Sequence, residues 1–326
     1  MINQFKTLNP INLLLLFAYT FFMRIAFLIN PPPRLNFEFL ESYTKFMIQI
    51  PLGSSMSVTG NIMLAGILIY IQAIYFNRIV NNHQLLAKPS FLPALLYITG
   101  ASLFDPFLIL SPVLICNFLL ILVMDKLLKI GKAPNAIMLM FDVGLFIAVG
   151  TLIYFPFVMM LLLIWLSLLL YRSFNWREWI SGLVGFLSIT FFLAVFYYWN
   201  DSLNMFYQIW LPLKNKFPSV FTIHYNDYLV LLPVVIMMVL ALIQLRENFF
   251  RSFISTRKAF QMLFFMFLIA ILSCYTKSNF KLYHFLLCVP PGAVLLAYYF
   301  SNATKRWFYE SLFLILVIAI QFFLFV

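Results

Sequence analysis

The chain has 326 residues, of which 64% are hydrophobic and 10% are charged, with a net charge of +11. Soluble proteins average about 45–50% apolar and about 25% charged residues, and they cannot bury this much apolar surface. The composition therefore excludes a soluble enzyme, a nucleic-acid-binding domain and a disordered protein. It predicts an all-α polytopic membrane protein that has membrane lipid and no nucleic acid among its partners.

Eleven apolar stretches are candidates for membrane-spanning helices, which need about 20 mostly apolar residues. They lie at 9–29, 57–77, 90–104, 107–124, 134–152, 154–171, 178–199, 228–245, 259–275, 283–300 and 308–326. The third is short and ends at Phe104-Asp105-Pro106, so we expect it to tilt or to re-enter the membrane. No soluble domain separates the stretches, and residues 1–326 are expected to form one membrane domain.

The basic residues predict the orientation of these helices. With a cytoplasmic N-terminus, two thirds of the 21 Lys and Arg residues fall in cytoplasmic segments, which is the usual bias. An odd number of spans then places the C-terminus outside. Two external loops, 30–56 and 200–227, are long, whereas the cytoplasmic loops are short. Function is therefore expected within the membrane or on its external face.

The first long loop combines a helix break with an amphipathic pattern. It opens with Pro31-Pro32-Pro33, which cannot continue a helix. Apolar side chains then recur at helical spacing, at Phe39, Tyr43, Phe46 and Ile50. This pattern predicts a helix lying in the plane of the membrane interface. Glu38 and Glu41 occupy its polar stripe, either as solvated carboxylates or with one of them acting as a general base.

Three further ionisable residues lie within or beside apolar stretches, where charges are costly and often functional. Arg24 near the end of the first stretch either snorkels to the interface, binds a phosphate or pairs with a carboxylate. Asp105 caps the fourth helix or belongs to a site. Asp142 is expected to face protein, as a hydrogen-bonded structural residue or as part of a proton relay, with Gly144 permitting close helix packing nearby.

The segment 274–300 places basic groups at the external boundary, against the usual charge bias. Lys281 and His284 precede Pro290-Pro291, which interrupts the following helix at membrane depth. These cations either anchor the segment at the interface or bind an anion such as a lipid-linked phosphate. The spacing of His, Cys and acidic residues predicts no metal site.

Together these features resemble the GT-C membrane glycosyltransferases. The first helix ends in a basic residue within FFMRIAFLI, and the first external loop is long and acidic. An acid precedes an apolar run in Asp105-Pro106-Phe107-Leu108. A late helix has the order basic, Tyr, apolar and Pro, at Lys281, Tyr283, Pro290 and Pro291.

The resemblance implies an enzyme that transfers a sugar from a polyprenyl-phosphate donor on the external face. Glu38 or Glu41 would be the catalytic base, and Asp105 would orient the acceptor or assist a divalent metal, with no other cofactor implied. The donor phosphate would be bound by basic residues and a neighbouring tyrosine: Arg24, Lys281, Tyr283 and His284. The motif RSFNWREW at 172–179 is also similar to an uncharacterised family of bacterial inner-membrane proteins, which implies that location.

Two other functions agree with the same sequence. A lipid or solute transporter would use Asp142 and the proline-interrupted helix as its path, and it would contain an inverted repeat. A non-enzymatic scaffold subunit would contain no polar cavity and would present an apolar or aromatic face to a membrane-protein partner.

Overall fold

The structure, a computed structural model, describes residues 1–31, 57–210, 225–248, 253–276 and 282–325. All regular secondary structure in these ranges is helical. We number the α-helices as α1 Ile2–Phe5, α2 Ile11–Phe22, α3 Ile25–Ile29, α4 Val58–Asn82, α5 Leu92–Gly100, α6 Pro112–Lys129, α7 Ile137–Ile153, α8 Leu162–Tyr171, α9 Trp176–Trp199, α10 Leu203–Ile209, α11 Tyr225–Asn248, α12 Ile254–Leu272, α13 Val289–Asn302 and α14 Arg306–Phe325.

Local sequence explains where several of these helices begin. The side chains of Ser57, Ser111 and Asn175 accept hydrogen bonds from the first-turn amides of α4, α6 and α9, at 3.1–3.2 Å. Such caps satisfy backbone groups that would otherwise have no partner inside a helix. Pro112 occupies the first turn of α6, where its missing N–H costs nothing.

Six helical segments of the described chain are long and apolar enough to cross a membrane. They are Val58–Asn82, Trp176–Trp199, Val230–Asn248, Ile254–Thr276, Leu282–Asn302 and Arg306–Leu324. The structure therefore confirms a membrane-type helical bundle, whereas the predicted number of eleven spans is not confirmed. Each predicted stretch does contain a helix, but the first divides into α2 and α3, and the third contains only the nine residues of α5.

Besides Ile130–Lys132, which directly follows α6, four short 3₁₀ segments interrupt the described part of the bundle. We call them the Asp105 turn (Asp105–Phe107), the Phe155 segment (Phe155–Leu161), the Ser273 turn (Ser273–Thr276) and the Leu282 segment (Leu282–Cys288). The Asp105 turn packs against the Leu282 segment, and the Phe155 segment packs against the Ser273 turn. Such breaks leave backbone groups for side chains to satisfy, which at membrane depth requires burial in protein.

The closest helix crossing joins α7 and α9. A Cβ atom on Gly144 would collide with the carbonyl oxygen of Gly182, and one on Gly185 would collide with that of Phe141. The two backbones therefore touch directly, as small residues allow in membrane proteins. This geometry agrees with the close packing predicted at Gly144.

Polar contacts join the connections at one end of the bundle, which we call the basic end. The Phe91 amide donates to the Phe5 carbonyl oxygen at 2.9 Å. His83 Nε2 lies 3.0 Å from Asp125 Oδ1, and Arg172 Nη2 donates to the Pro134 carbonyl at 2.7 Å. The connections after α4, α6 and α8 therefore lie on the same side of the protein.

Candidate functional site

The opposite end of the bundle contains the 3₁₀ segments and most of the described residues that the sequence assigned to a site. Asp105 is half-buried at the start of its turn, and the turn packs against the segment that carries Tyr283 and His284. The chain after the turn is fixed by Asn61 of α4, whose side-chain oxygen accepts from the Leu110 amide at 3.0 Å. Asp105 and Tyr283, which are 178 positions apart in sequence, therefore lie on neighbouring segments.

His284 is buried and hydrogen-bonded on both ring nitrogens. Its Nδ1 lies 2.8 Å from the Tyr154 hydroxyl, and its Nε2 lies 3.0 Å from the Ala270 carbonyl oxygen and 3.1 Å from Ser273 Oγ. A carbonyl can only accept, so Nε2 carries a hydrogen, and Nδ1 is hydrogen-bonded to the tyrosine hydroxyl. The imidazole ties the Leu282 segment to two other chain breaks.

We expect Tyr154→Phe to destabilise the protein by about 1–3 kcal/mol, because the buried Nδ1 of His284 loses its hydrogen bond to the Tyr154 hydroxyl. Thermal unfolding of the detergent-solubilised protein, followed by tryptophan fluorescence, measures this loss. Tyr198→Phe is the matched control, since Tyr198 is 68% exposed. Equal unfolding temperatures for the two variants would contradict the role given to the Tyr154 hydroxyl.

Arg24 separates α2 from α3, and its side chain is fully buried, which excludes the snorkelling alternative. Its Nη1 donates to the Thr20 carbonyl at 3.0 Å, whereas Nε and Nη2 have no hydrogen-bond partner among the described residues. Gly66 of α4 makes room for it, because a Cβ there would lie 3.3 Å from Arg24 Cδ. Two buried donors thus remain available to an anion, which is the group that best stabilises a buried guanidinium.

Three predicted site residues, Glu38, Glu41 and Lys281, lie outside the described residues, as does the predicted interfacial helix. Tyr283 is half-buried, and its ring packs edge-on against that of Tyr154 with centroids 6.1 Å apart. Within the described ranges, no group of three His, Cys or acidic residues could hold a metal ion. The assistance of a divalent metal at Asp105 stays a prediction.

Asp142 lies near the basic end and away from the 3₁₀ segments. On the second turn of α7, its carboxylate pairs with Lys126 of α6 at 2.5 Å, and both side chains are about a quarter exposed. Asp125 and Lys129 form a neighbouring pair on α6. The structure therefore places Asp142 in a charge cluster that joins two helices, apart from the other predicted site residues.

A network of buried amide and hydroxyl side chains was not predicted. Gln72 donates to the Leu114 carbonyl at 2.7 Å and accepts from the Tyr97 hydroxyl at 2.8 Å. Asn117 of α6 donates to the Leu286 carbonyl in the Leu282 segment at 2.8 Å. The feature of the sequence that could have indicated this network is an amide side chain within an apolar stretch, because a buried polar group needs a hydrogen-bond partner.

Two grooves at the surface of the described residues are apolar. One runs between the N-terminal segment and α14, and the other between α7 and α9 near Trp176 and Arg177. Neither is lined by Arg24, Asp105 or His284.

Over the described ranges the fold is all-helical, and its long apolar helices are typical of a membrane protein. A family model described as a family of unknown function (DUF6427) matches residues 39–326. The chain belongs to that family. Comparison with curated proteins found no match, and comparison with solved structures found none either.

Proposed function

We propose that this protein is an integral membrane glycosyltransferase of the GT-C type, which transfers a sugar from a polyprenyl-phosphate carrier on the external face of the membrane. The observation that carries the proposal is the packing of the Asp105 turn against the Leu282 segment. The resemblance assigns Asp105 to the acceptor and the Leu282 segment to the carrier phosphate, and transfer requires these two groups to be neighbours.

The proposed chemistry is a single displacement. The acceptor hydroxyl oxygen bonds to the anomeric carbon while the bond from that carbon to the phosphate oxygen breaks. The leaving phosphate keeps the electron pair, and Glu38 or Glu41 takes the hydroxyl proton. A cation beside the leaving phosphate stabilises its growing charge, and Arg24 and Lys281 are the proposed cations.

His284 has a different part in this proposal from the one the sequence suggested. Its Nε2 donates to the Ala270 carbonyl oxygen, and its Nδ1 is hydrogen-bonded to the Tyr154 hydroxyl, so both ring nitrogens already have partners. We therefore assign it the positioning of the Leu282 segment, and leave direct neutralisation of phosphate to the arginine and the lysine. Tyr283, next to it, remains a proposed contact of the carrier.

We further propose eleven crossings, a cytoplasmic N-terminus and a bacterial cytoplasmic membrane as the location. The connections at the basic end support this topology, because α4, α6 and α8 all finish there. A chain that crosses the membrane back and forth would bring the ends of these three helices to the same side. The positive charge at this end is typical of the cytoplasmic side.

The proposal is tested in proteoliposomes supplied with polyprenyl-phosphate sugars and a panel of acceptors that carry a hydroxyl group. We expect the wild-type protein to release polyprenyl phosphate together with a glycosylated acceptor. Glu→Gln at the true base is expected to lower the rate at least about a hundredfold without loss of folded protein, because the proton then has no acceptor.

Glu247→Gln is the matched control, since Glu247 is exposed in the last turn of α11 and is not among the proposed site residues. Full activity in both Glu38→Gln and Glu41→Gln would contradict the assignment of the base. No transfer by the wild-type protein across the panel would contradict the enzyme itself and favour the scaffold or transporter alternative.

A further inference from the structure

The larger surface groove runs along the outer side of the last helix. It encloses about 750 Å³ and is lined by Met1, Ile2, Phe22, Arg306, Trp307, Glu310, Ser311, Phe313, Leu314 and Val317. From Arg306 to Val317 the helix rises about 17 Å. One leaflet of hydrocarbon is about 15 Å thick, so the groove has the length of an extended acyl chain.

The walls of the groove are apolar and open to the surroundings of the protein. Phe22 is 48% exposed and Leu314 is 56% exposed. Gln321 of α14 donates to the Phe22 carbonyl at 3.4 Å, which holds the two helices together beyond the groove. The walls therefore suit a hydrocarbon chain lying between α2 and α14.

The mouth of the groove is basic and aromatic. Lys305 and Arg306 are exposed at the start of α14, beside Trp307, which is 84% exposed. Lys6 lies over the Tyr309 ring, 4.3 Å from its centroid. Glu310 is the acid nearby, and its two oxygens accept from Arg306 Nε and from the N-terminal ammonium of Met1, each at 3.2 Å. With Lys6 and Lys305, the four cations exceed the one carboxylate and leave a net positive charge.

This combination fits the interfacial part of a lipid with an acidic head group. A tryptophan at the end of a membrane helix sits at the level of the head groups. Basic side chains near the surface attract anionic lipid, and the amino end of a 20-residue helix adds to that attraction. Charge and chain length therefore point to the same occupant.

We propose that this groove binds one anionic phospholipid, with its phosphate beside Arg306 and Trp307 and one acyl chain along α14 as far as Phe22. The head-group part of the site lies at the basic end, away from Asp105 and His284, and the acyl chain ends at Phe22, two positions before Arg24. The lipid takes no part in the proposed glycosyl transfer, and Arg306 and Leu314 are not among the residues proposed for that reaction, so either proposal can fail alone.

The test measures lipid retained by the purified protein. Native mass spectrometry in a mild detergent is expected to show one phospholipid bound to the wild-type chain. Leu314→Trp fills the groove, so the bound fraction is expected to fall at least about tenfold. Ile315→Trp is the matched control, because Ile315 is 57% exposed on the same helix but does not line the groove, and it is expected to retain the lipid.

The head group is tested by adding phosphatidylglycerol or phosphatidylethanolamine to delipidated protein. We expect phosphatidylglycerol to be preferred by the wild-type chain, and Arg306→Gln to reduce that preference about fivefold. Arg78→Gln, at an exposed position of α4 in the same half of the protein, is expected to leave it unchanged.

Three results would overturn the proposal. They are equal lipid retention by Leu314→Trp and wild type, no retention by wild type, and no preference between the two head groups. A second copy of the chain, lost from the wild-type complex only in Leu314→Trp, would assign the groove to self-association instead.

Discussion

Replacing Gly185 with valine is expected to remove most of the folded protein. A side chain at this position would meet the carbonyl oxygen of Phe141 and two further backbone atoms of that residue, at 3.0 and 3.2 Å. The backbone of α7 cannot move aside as a flexible side chain could, so α7 and α9 would have to separate along their whole contact. We expect a loss of at least about 3 kcal/mol, above the usual cost of overpacking.

Gly292→Ala is the control for this variant. An added Cβ at Gly292 would lie 3.5 Å from Met238 Cε and from Phe267 Cε2, which is ordinary contact with side-chain ends. We expect its stability to stay within about 1 kcal/mol of wild type, because alanine also favours the helical backbone. Fluorescence-detected size-exclusion chromatography after heating compares the two proteins. Similar midpoints for Gly185→Val and Gly292→Ala would show that the crossing is looser than described.

The second large effect is expected from Glu178→Ala. Glu178 is buried near the start of α9, where Oε1 accepts from Arg172 Nη1 at 2.7 Å and from the Ala136 amide at 3.0 Å. Removing the carboxylate leaves a cation and a buried amide without their acceptor. We expect a cost of about 3 kcal/mol, the lower end for a broken buried pair, since Arg172 keeps its carbonyl partners at Ala133 and Pro134.

A double variant separates the effect of an unpaired charge from the effect of lost side-chain packing. Arg172→Leu with Glu178→Leu removes both partners, so no uncompensated charge remains, and we expect it to be more stable than Glu178→Leu alone. The measurement is the midpoint of thermal unfolding for the wild type, both single variants and the double variant. Strictly additive losses would mean that the two side chains act independently.

Helix positions were predictable from hydropathy, whereas the helix interruption at Arg24 was not. Each predicted stretch contains a helix because about 20 apolar residues leave the backbone few other ways to satisfy itself in lipid. The break at Arg24 lies in the run FFMRIAF, which contains neither Gly nor Pro. It is associated with burial of the arginine against Gly66 of another helix, which the local sequence does not encode.

Residues of the candidate site were predictable from the sequence, whereas the surroundings of His284 were not. The sequence identified Asp105, Tyr283 and His284 as unusual residues, and the structure places them on neighbouring segments. It also suggested that His284 is an interfacial cation, because an isolated basic residue after an apolar stretch usually is. Its real surroundings depend on Tyr154, which is 130 positions away and carries no local signal of that contact.

The polar network was missed for a different reason. Ionisable residues stand out in an apolar sequence, while Gln72 and Asn117 look like minor interruptions. Their importance comes from the carbonyl groups to which they donate, those of Leu114 in α6 and Leu286 in the Leu282 segment. A search for amides in apolar stretches would have found the donors, although not their acceptors.

The charge pair between Lys126 and Asp142 has a consequence for how the chain assembles. These residues lie on consecutive helices, so each charge meets its counterpart as soon as α6 and α7 have entered the bilayer together. A helical hairpin can thus carry two costly groups into lipid as a nearly neutral unit. The contact between Tyr154 and His284 forms later, because Tyr154 is synthesised long before the histidine that it contacts. The basic end can therefore form early, and the end that contains the candidate site is completed only when the last third of the chain arrives.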